Sequence, residues 1–496
     1  MSTPIASKPS VTTTSGPVRP VIRSAADVSN LVNRGAAAGS DARIVVAIAL
    51  GGVFLDAYDL GALAFGLKDV AREFSLTPTG TGLVASAITF GAIVGAFFGG
   101  FLTDKIGRYR VFMADMFFFV IAALACAIAP NAWVLGGARF VMGLGVGIDL
   151  PVAMAFLAEF SRLSGRGNKA ARIATWCPVW YAAISISYLL VLTFYATLPA
   201  SHAHLLWRLI LGFGALPAIA IIAVRSRYIS ESPVWAANQG DLAGAARILK
   251  RSYGIDADVA VQDAPAAASR APVRSASWKN YGALLRGVYL RRTVLATVIG
   301  VASSFAYNAV AFGLPVILSS FLAQSMLTTI LASLVLNLGF AFVGGLIAVR
   351  IVPRVGAWKL TVLGYVLQSI ALIGLAIVGR PSATAEVVAA VALLATFLLG
   401  QGVGAGSHSM TFASLSYPTS LRGVGVGFNQ TLMRASSTVS LFLFPVLAAA
   451  LSTRVFWIIA IAPLCGLAAL LAIRWEPSGY DVDAEDFQMS ATPRNT

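Results

Sequence analysis

Two runs in this chain set an ionisable side chain behind three alternating glycines: Gly143, Gly145, Gly147 and Asp149 in one apolar segment, Gly402, Gly404, Gly406 and His408 in another. Alternate glycines thin a helix so that a neighbouring backbone can approach closely. The aspartate or histidine two residues on is a group that can hold and release a proton. Asp149 is followed by Pro151, which removes a backbone donor and loosens the helical ladder. Asp56 and Asp59 are three residues apart and so share one helical face, about a turn apart. Carboxylates that close repel each other, and a proton on one relieves the other. The pair reads either as a proton or solute site, or as ion pairs with Arg139 or Arg434 that only hold helices together. Asp149 and His408 carry a similar choice, proton or solute contact against a static hydrogen-bonded role. Arg434 stands among apolar neighbours and needs an anion, supplied by the protein or by a bound solute.

Side chains able to grip an organic molecule from several directions are Trp176, Trp180, Tyr181, Tyr307, Asn308, Asn337, Asn429 and Gln430. The aromatic ones could equally serve packing or a lipid belt. Other chemistries are poorly supplied. No phosphate-cradling loop with a Walker lysine is present, so ATP is not the expected energy source. No enzyme, cofactor or metal is expected, and the HxH of His202 and His204 in a short outer loop is not read as a metal site.

The elements that must hold these residues are membrane helices. Apolar residues make up 58% of the chain, charged residues 11%, and mean hydropathy is +0.80, which excludes an ordinary soluble domain. At about 20 apolar residues per crossing, twelve spans are expected: 44–66, 83–102, 111–129, 133–157, 173–196 and 205–224, then 295–322, 330–349, 360–378, 385–406, 424–451 and 455–473. The fold class is all-α, two pseudo-symmetric six-helix bundles at 43–224 and 293–475. Residues 1–42 read as a disordered cytoplasmic tail, 225–292 as a cytoplasmic central loop and 476–496 as a cytoplasmic tail.

A net charge of +15 would suggest nucleic acid in a soluble chain. Here most of the 36 Lys and Arg fall in the tails and even-numbered connections, with Lys68, Arg72, Arg380 and Arg454 on the other side. The charge is therefore topological, with both termini cytoplasmic and no nucleic-acid partner. The first 40 residues lack an apolar core, so no signal peptide is expected. Cys126, Cys177 and Cys465 fall within spans and imply packing, not disulfides. In the central loop, 241–251 places Leu242, Ala246 and Leu249 on one face of an amphipathic helix expected under the bundle, and 256–274 reads as flexible linker.

Between spans two and three stands Gly100-Phe101-Leu102-Thr103-Asp104-Lys105-Ile106-Gly107-Arg108-Tyr109-Arg110, a very short turn that holds Asp104 and its bases at the ends of two helices. A carboxylate there can sit at the N-terminus of a helix in the opposite half and latch one conformation. The run resembles the signature GxxxD(K/R)xGR of the major facilitator superfamily. Residues 353–359, Pro-Arg-Val-Gly-Ala-Trp-Lys, are a worn copy with Pro353 at the acidic position, so the stronger latch is expected on the N-terminal side. Arg139-Phe140-Val141-Met142-Gly143 continuing through Pro151 to Glu159, Ser230-Glu231-Ser232-Pro233-Val234-Trp235, and Tyr417-Pro418-Thr419-Ser420-Leu421-Arg422-Gly423 resemble elements of sugar-porter-like facilitators. Asp56-Ala57-Tyr58-Asp59-Leu60 and Asp149 before Pro151 resemble proton-coupled phosphate and aromatic-acid symporters. Span seven departs from both groups: Ser303-Ser304-Phe305-Ala306-Tyr307-Asn308 replaces the sugar porters' QQxxGxN, and the acid of the phosphate symporters is missing.

The resemblance implies a multi-pass protein of the bacterial inner membrane, working as a monomer, whose halves rock around a midplane site. It would carry a small polar organic metabolite, an organic acid or a sugar-like compound, by proton symport through the lipid bilayer. Asp56, Asp59 and Asp149 are then the proton carriers, and His408 and Arg434 complete a solute site with the aromatics and amides named above. Asp104, Arg108, Asp115, Arg139, Glu159 and Arg422 are the gate residues. A passive facilitator, a proton-coupled exporter and a transporter-like nutrient sensor stay open as readings.

Overall fold

A backbone in lipid has no water to bond, so apolar stretches of this length resolve as helices that satisfy their own N–H and C=O groups. The computed structural model describes residues 19–24, 27–28, 31, 41–106, 108–160, 168–228, 231, 233–260, 278–480 and 482. Spans one to five are Asp41–Glu73, Pro78–Ile106, Arg108–Ala127, Ala132–Phe160 and Trp176–Thr197; span six is the pair Leu206–Phe213 and Ala215–Tyr228. Span seven is Gly287–Ala311, and spans eight to ten are Met326–Val355, Ala357–Val378 and Thr384–Leu415. Spans eleven and twelve are Thr419–Leu451 and Val455–Ala472.

Eleven stretches of the described residues are long and apolar enough to cross a bilayer, and the last, Val424–Ala472, is 49 residues long. At roughly 1.5 Å per residue this is more than twice the thickness of a hydrocarbon core. Its helix breaks at Ser452, where φ is +53°, and resumes at Val455, so it makes two crossings and the expected twelve stand.

The glycine runs explain how these helices pack. A Cβ on Gly143 or Gly147 would run into the Ile88 and Ala92 carbonyls of span two, and one on Gly145 into the Asp115 carbonyl of span three. In the other half, a Cβ on Gly402 would strike Ala341 of span eight, and one on Gly404 would strike Leu360 of span nine. The fourth helix of each half thus lies backbone to backbone against the second and third, the duplication that the two runs foreshadow. Three π-helical turns, Ile317–Phe321, Asn337–Phe342 and Gln401–Ala405, re-aim side chains after span seven and within spans eight and ten. Hydropathy carries no signal for them.

The chain divides into two compact units, Met1–Gly39 with Ser230–Val273, and Ser40–Ile229 with Arg274–Thr496. In the first, Leu242–Tyr253 is the expected amphipathic helix. Asp241 caps it by accepting the Gly244 N–H at 2.7 Å, Gly254 at φ +67° ends it, and Ala245 and Leu249 are fully buried with Ile22 and Val28. Two expectations change here. Val21–Ile22, in the segment read as a disordered tail, pairs in parallel with Asp258–Val259, in the segment read as linker. Ile22 is buried while Val21 stays exposed, the alternation of a half-buried strand, and Arg19 pairs with Asp256 and Asp258 beside it. Residues 1–18, 25–26, 29–30 and 32–40 of that tail and 261–274 of that linker lie outside the described residues.

At the worn copy of the turn motif, Gly356 adopts φ +91° and Glu476 accepts the Ala357 and Trp358 N–H groups at 3.0 and 2.9 Å. An acid does hold a helix N-terminus at this point, supplied by the C-terminal segment. The side chains of Asp104, Arg108, Glu159 and Arg422 lie outside the described residues.

Candidate functional site

Span one presents Asp56 and Asp59 on one face, as their spacing requires, but hands them to different partners. Asp56 Oδ2 accepts from Arg434 Nη2 at 2.5 Å, a bond between the two halves. Asp59 Oδ2 lies 3.0 Å from Arg139 Nη1 within the N-terminal half. All four side chains are buried. Removing either member of such a pair strands the other charge in a low dielectric, at a cost of several kcal/mol.

Asp149 sits elsewhere. Its Oδ1 accepts from Arg225 Nη2 at 2.7 Å, and the same guanidinium donates to Asp115 Oδ1 at 3.2 Å and to the Phe112 carbonyl at 2.7 Å. The guanidinium carbon lies 3.4 Å from the centre of the Phe112 ring. Arg225 and Asp115 expose no surface. Asp115, about two turns inside span three, therefore answers Arg225, where the gate reading expects it to join the bases of the turn motif. The sequence reading places Arg225 at the start of the cytoplasmic loop, 225–292, and does not name it among the site residues. The signal was present: two acids in apolar helices of one half call for a cation, and Arg225 ends the last apolar span of that half.

Gly52 of span one makes room for this cluster, since a Cβ there would fall on Asp149 Oδ2. Gly52→Ala is expected to push the carboxylate off Arg225 and lower stability by about 1–3 kcal/mol. Gly427→Ala in span eleven, where an added Cβ meets nothing within 4 Å, should leave stability unchanged. Thermal unfolding of the two purified variants checks both expectations.

A cavity of about 60 Å³ lies between the halves, lined by Trp176, Trp180 and Tyr181 of span five, Tyr307 and Asn308 of span seven, and Gln430 and Arg434 of span eleven. Trp180 Nε1 donates to the Tyr307 hydroxyl at 2.8 Å and Trp176 Nε1 to the Ser407 carbonyl at 3.3 Å, both between halves. The rings meet edge to face, with centres 5.9 Å apart for Trp176 and Trp180 and 6.0 Å for Tyr181 and Tyr307. Sequence reading missed Gln401, Ser303 and Ser437 on the same wall. Gln401 Oε1 accepts from Gln368 Nε2 at 2.5 Å while its Nε2 donates to Ser303 at 3.1 Å. Ser437 lies 2.6 Å from Ser304 and accepts from Asn308 at 3.1 Å. Gln401 stands where Met142 stands in the first glycine run, and an amide at that apolar position was the available clue.

Three expected solute contacts are not on this wall. His408 is fully buried outside the cavity lining, with neither ring nitrogen in a well-aligned hydrogen bond. Asn429 donates to the Ala296 carbonyl at 2.8 Å, and Asn337 to the Ser333 carbonyl at 3.4 Å.

A wider cleft of about 500 Å³ adjoins the cavity, shares Leu60 and Asn308 with it, and reaches Lys68, Leu76 and Arg380 at the end of the bundle where spans one and two join. Arg139 borders this cleft. At the opposite end, helix Asn168–Ala174 of the N-terminal half packs on Val343–Val355 and Gly406–Leu415 of the other. Among the described residues, then, the cavity meets a cleft toward one end, and helices pack across the two halves at the other.

The sequence pattern of the Sugar (and other) transporter family matches residues 44–473. The niacin transporter NiaP of Acinetobacter baylyi is 27% identical over 396 residues, covering 78% of this chain and 82% of its own. The inner membrane metabolite transport protein YgcS of Escherichia coli is 27% identical over 402 residues, 81% of this chain and 84% of its own. The solved structure of the major facilitator proton:xylose symporter XylE bound to 6-bromo-6-deoxy-D-glucose matches with a TM-score of 0.73, covering 90% of this chain and 99% of its own at 16% identity. At that identity the likeness speaks for the fold, a major facilitator bundle.

Proposed function

The chain belongs to the sugar (and other) transporter family of the major facilitator superfamily, and on that premise we propose that it carries a small polar organic metabolite, an organic acid or sugar-like compound, across the bacterial inner membrane by proton symport. The observation that carries the reading is a cavity between the halves with a buried acid–base pair at its edge and a second at the adjoining cleft. Protonating Asp56 or Asp59 would loosen its arginine, and each guanidinium borders the solute path. The similarity to a niacin transporter, a metabolite transport protein and a proton:xylose symporter supports a small organic cargo.

The rings of Trp176, Trp180, Tyr181 and Tyr307, with Asn308, Gln430 and Arg434, are the contacts assigned to that cargo. Asp56, Asp59 and Asp149 are the assigned proton carriers. Alternating access is favoured by the cleft at one end of the cavity and the helix packing across the halves at the other, which a rocking of the halves would exchange. The distribution of Lys and Arg along the chain favours cytoplasmic termini.

The test is uptake into proteoliposomes of labelled organic acids, sugars and phosphate, with and without an inward proton gradient. Accumulation that collapses on adding a protonophore is expected. Equilibration that ignores the gradient would make the protein a facilitator, and no flux of any solute would favour the sensor.

A further inference from the structure

The geometry points to a ring-bearing carboxylate as the solute, held by Arg434 in place of Asp56. This deepens the transport reading above and rests on it. The polar groups of the cavity wall are largely spent on one another: Gln401 on Gln368 and Ser303, Ser437 on Ser304 and Asn308, and Tyr307 on Trp180. A neutral polyol, which needs many free donors and acceptors, finds few here.

Arg434 is different. It is the charged residue among those lining the cavity, its side chain keeps 9% of its surface, and its recorded side-chain bond is to Asp56. A guanidinium has five N–H donors in a planar fork, so it can turn from one carboxylate to another and hold the second through two parallel bonds. Across from it stand the faces and edges of Trp176, Trp180, Tyr181 and Tyr307, which suit a flat ring. A buried water needs about 10–15 Å³ of such space, so the cavity of about 60 Å³ holds a few waters as it stands, and a ring enters it by drawing on the adjoining cleft of about 500 Å³.

Exchange of partners also moves a proton. The charged and titratable groups around Asp56 are Arg434 from span eleven, Asp149 from span four, Asp59 one turn along its own helix, and Tyr307 from span seven. Once the solute carboxylate takes the guanidinium, Asp56 would be left as a buried anion with no cation of its own, since Arg139 is held by Asp59 and Arg225 by Asp149. A proton from the open cleft neutralises it instead. Charge balances at each stage: Arg434 with ionised Asp56 sums to zero before binding, and Arg434 with the solute anion and protonated Asp56 sums to zero after it. Each carboxylate bound therefore brings a proton.

Detergent-purified protein in weak buffer, titrated with nicotinate or benzoate and with the matching amides, xylose and myo-inositol, tests this. The acid is expected to bind at least ~100-fold more tightly than its amide, the discrimination that a lost charge-assisted contact gives. Binding takes up a proton, so affinity falls as pH rises, by up to about tenfold per unit, and a pH electrode records alkalinisation on mixing. In Asp56→Asn the acid binds more tightly, with no proton uptake and no pH slope. Arg434→Gln loses acid binding. Since that variant leaves Asp56 alone, the charge-balanced pair Asp56→Asn/Arg434→Gln, checked for folding by its unfolding temperature, is expected to lose it as well.

Acid affinity unchanged in the balanced pair, or a sugar or amide bound as tightly as the acid, overturns the inference. Gradient-driven uptake of a neutral solute that carboxylates do not inhibit overturns it too, and leaves the transport reading intact. Absence of gradient-driven uptake for every compound tested overturns the transport reading itself.

Discussion

Arg225→Met is expected to collapse the yield of folded protein. Its guanidinium joins Asp115 of span three to Asp149 of span four from the end of span six, and Arg225 and Asp115 are entirely without exposed surface. Deleting this cation takes from both carboxylates the partner they share in a low dielectric, a loss of about 3–5 kcal/mol for a broken buried pair. Against a total stability of roughly 5–15 kcal/mol, that is a large share. The triple variant Asp115→Asn/Asp149→Asn/Arg225→Met carries no charge there and should recover much of the yield. The measurement is monodisperse protein per membrane mass, with unfolding temperature. An Arg225→Met protein as stable as the parent would mean that the cluster contributes little to folding.

Asp149→Asn should do the opposite: keep the fold and lose the pumping. Two acids share one base in this cluster, so with both ionised it holds an extra negative charge that a single proton neutralises. The substitution leaves Arg225 with Asp115 and the Phe112 carbonyl, an even pairing that takes up no proton, so none is handed on to Asp56 when the solute binds. A symporter taking one proton per solute can sustain about tenfold accumulation for each pH unit imposed. In proteoliposomes with a one-unit inward gradient, the variant's accumulation ratio is expected to fall to about one, while exchange of solute across the membrane persists. Accumulation equal to the parent's would assign Asp149 a purely structural role.

Much of the architecture is legible because membrane helices obey a rule of length and polarity. All twelve predicted spans overlap helices, and the errors fall at the ends: span one runs to Glu73, beyond the predicted end at residue 66, because Lys68, Asp69 and Arg72 continue the helix past the apolar core. Hydropathy cannot register this, since a helix does not stop where lipid does. The site is legible in its parts and less so in its pairings. Five buried charges of spans one, four and eleven stand out from their apolar surroundings, and Arg139 or Arg434 could be named as partners of Asp56 and Asp59. Which arginine takes which acid depends on the rotation of each helix about its axis. Spacing within one helix is silent about that. His408 shows a different gap: the repeat matches it to Asp149, yet Asp149 meets the buried Arg225 while Arg474, at the matching end of span twelve, is exposed. Gln401 and Gln368 escaped because an amide carries no charge to mark it.

The backbone contacts of the two glycine runs separate what can drift over generations from what cannot. At Gly143, Gly147, Gly402 and Gly404 a single added methyl meets a neighbouring main chain, so an alanine there harms the protein whatever its cargo. The cavity wall is made of side chains mounted on that locked frame, and exchanging a tryptophan, a glutamine or the arginine alters what fits without disturbing how the helices meet. Descendants of such a gene can change diet while inheriting the scaffold intact.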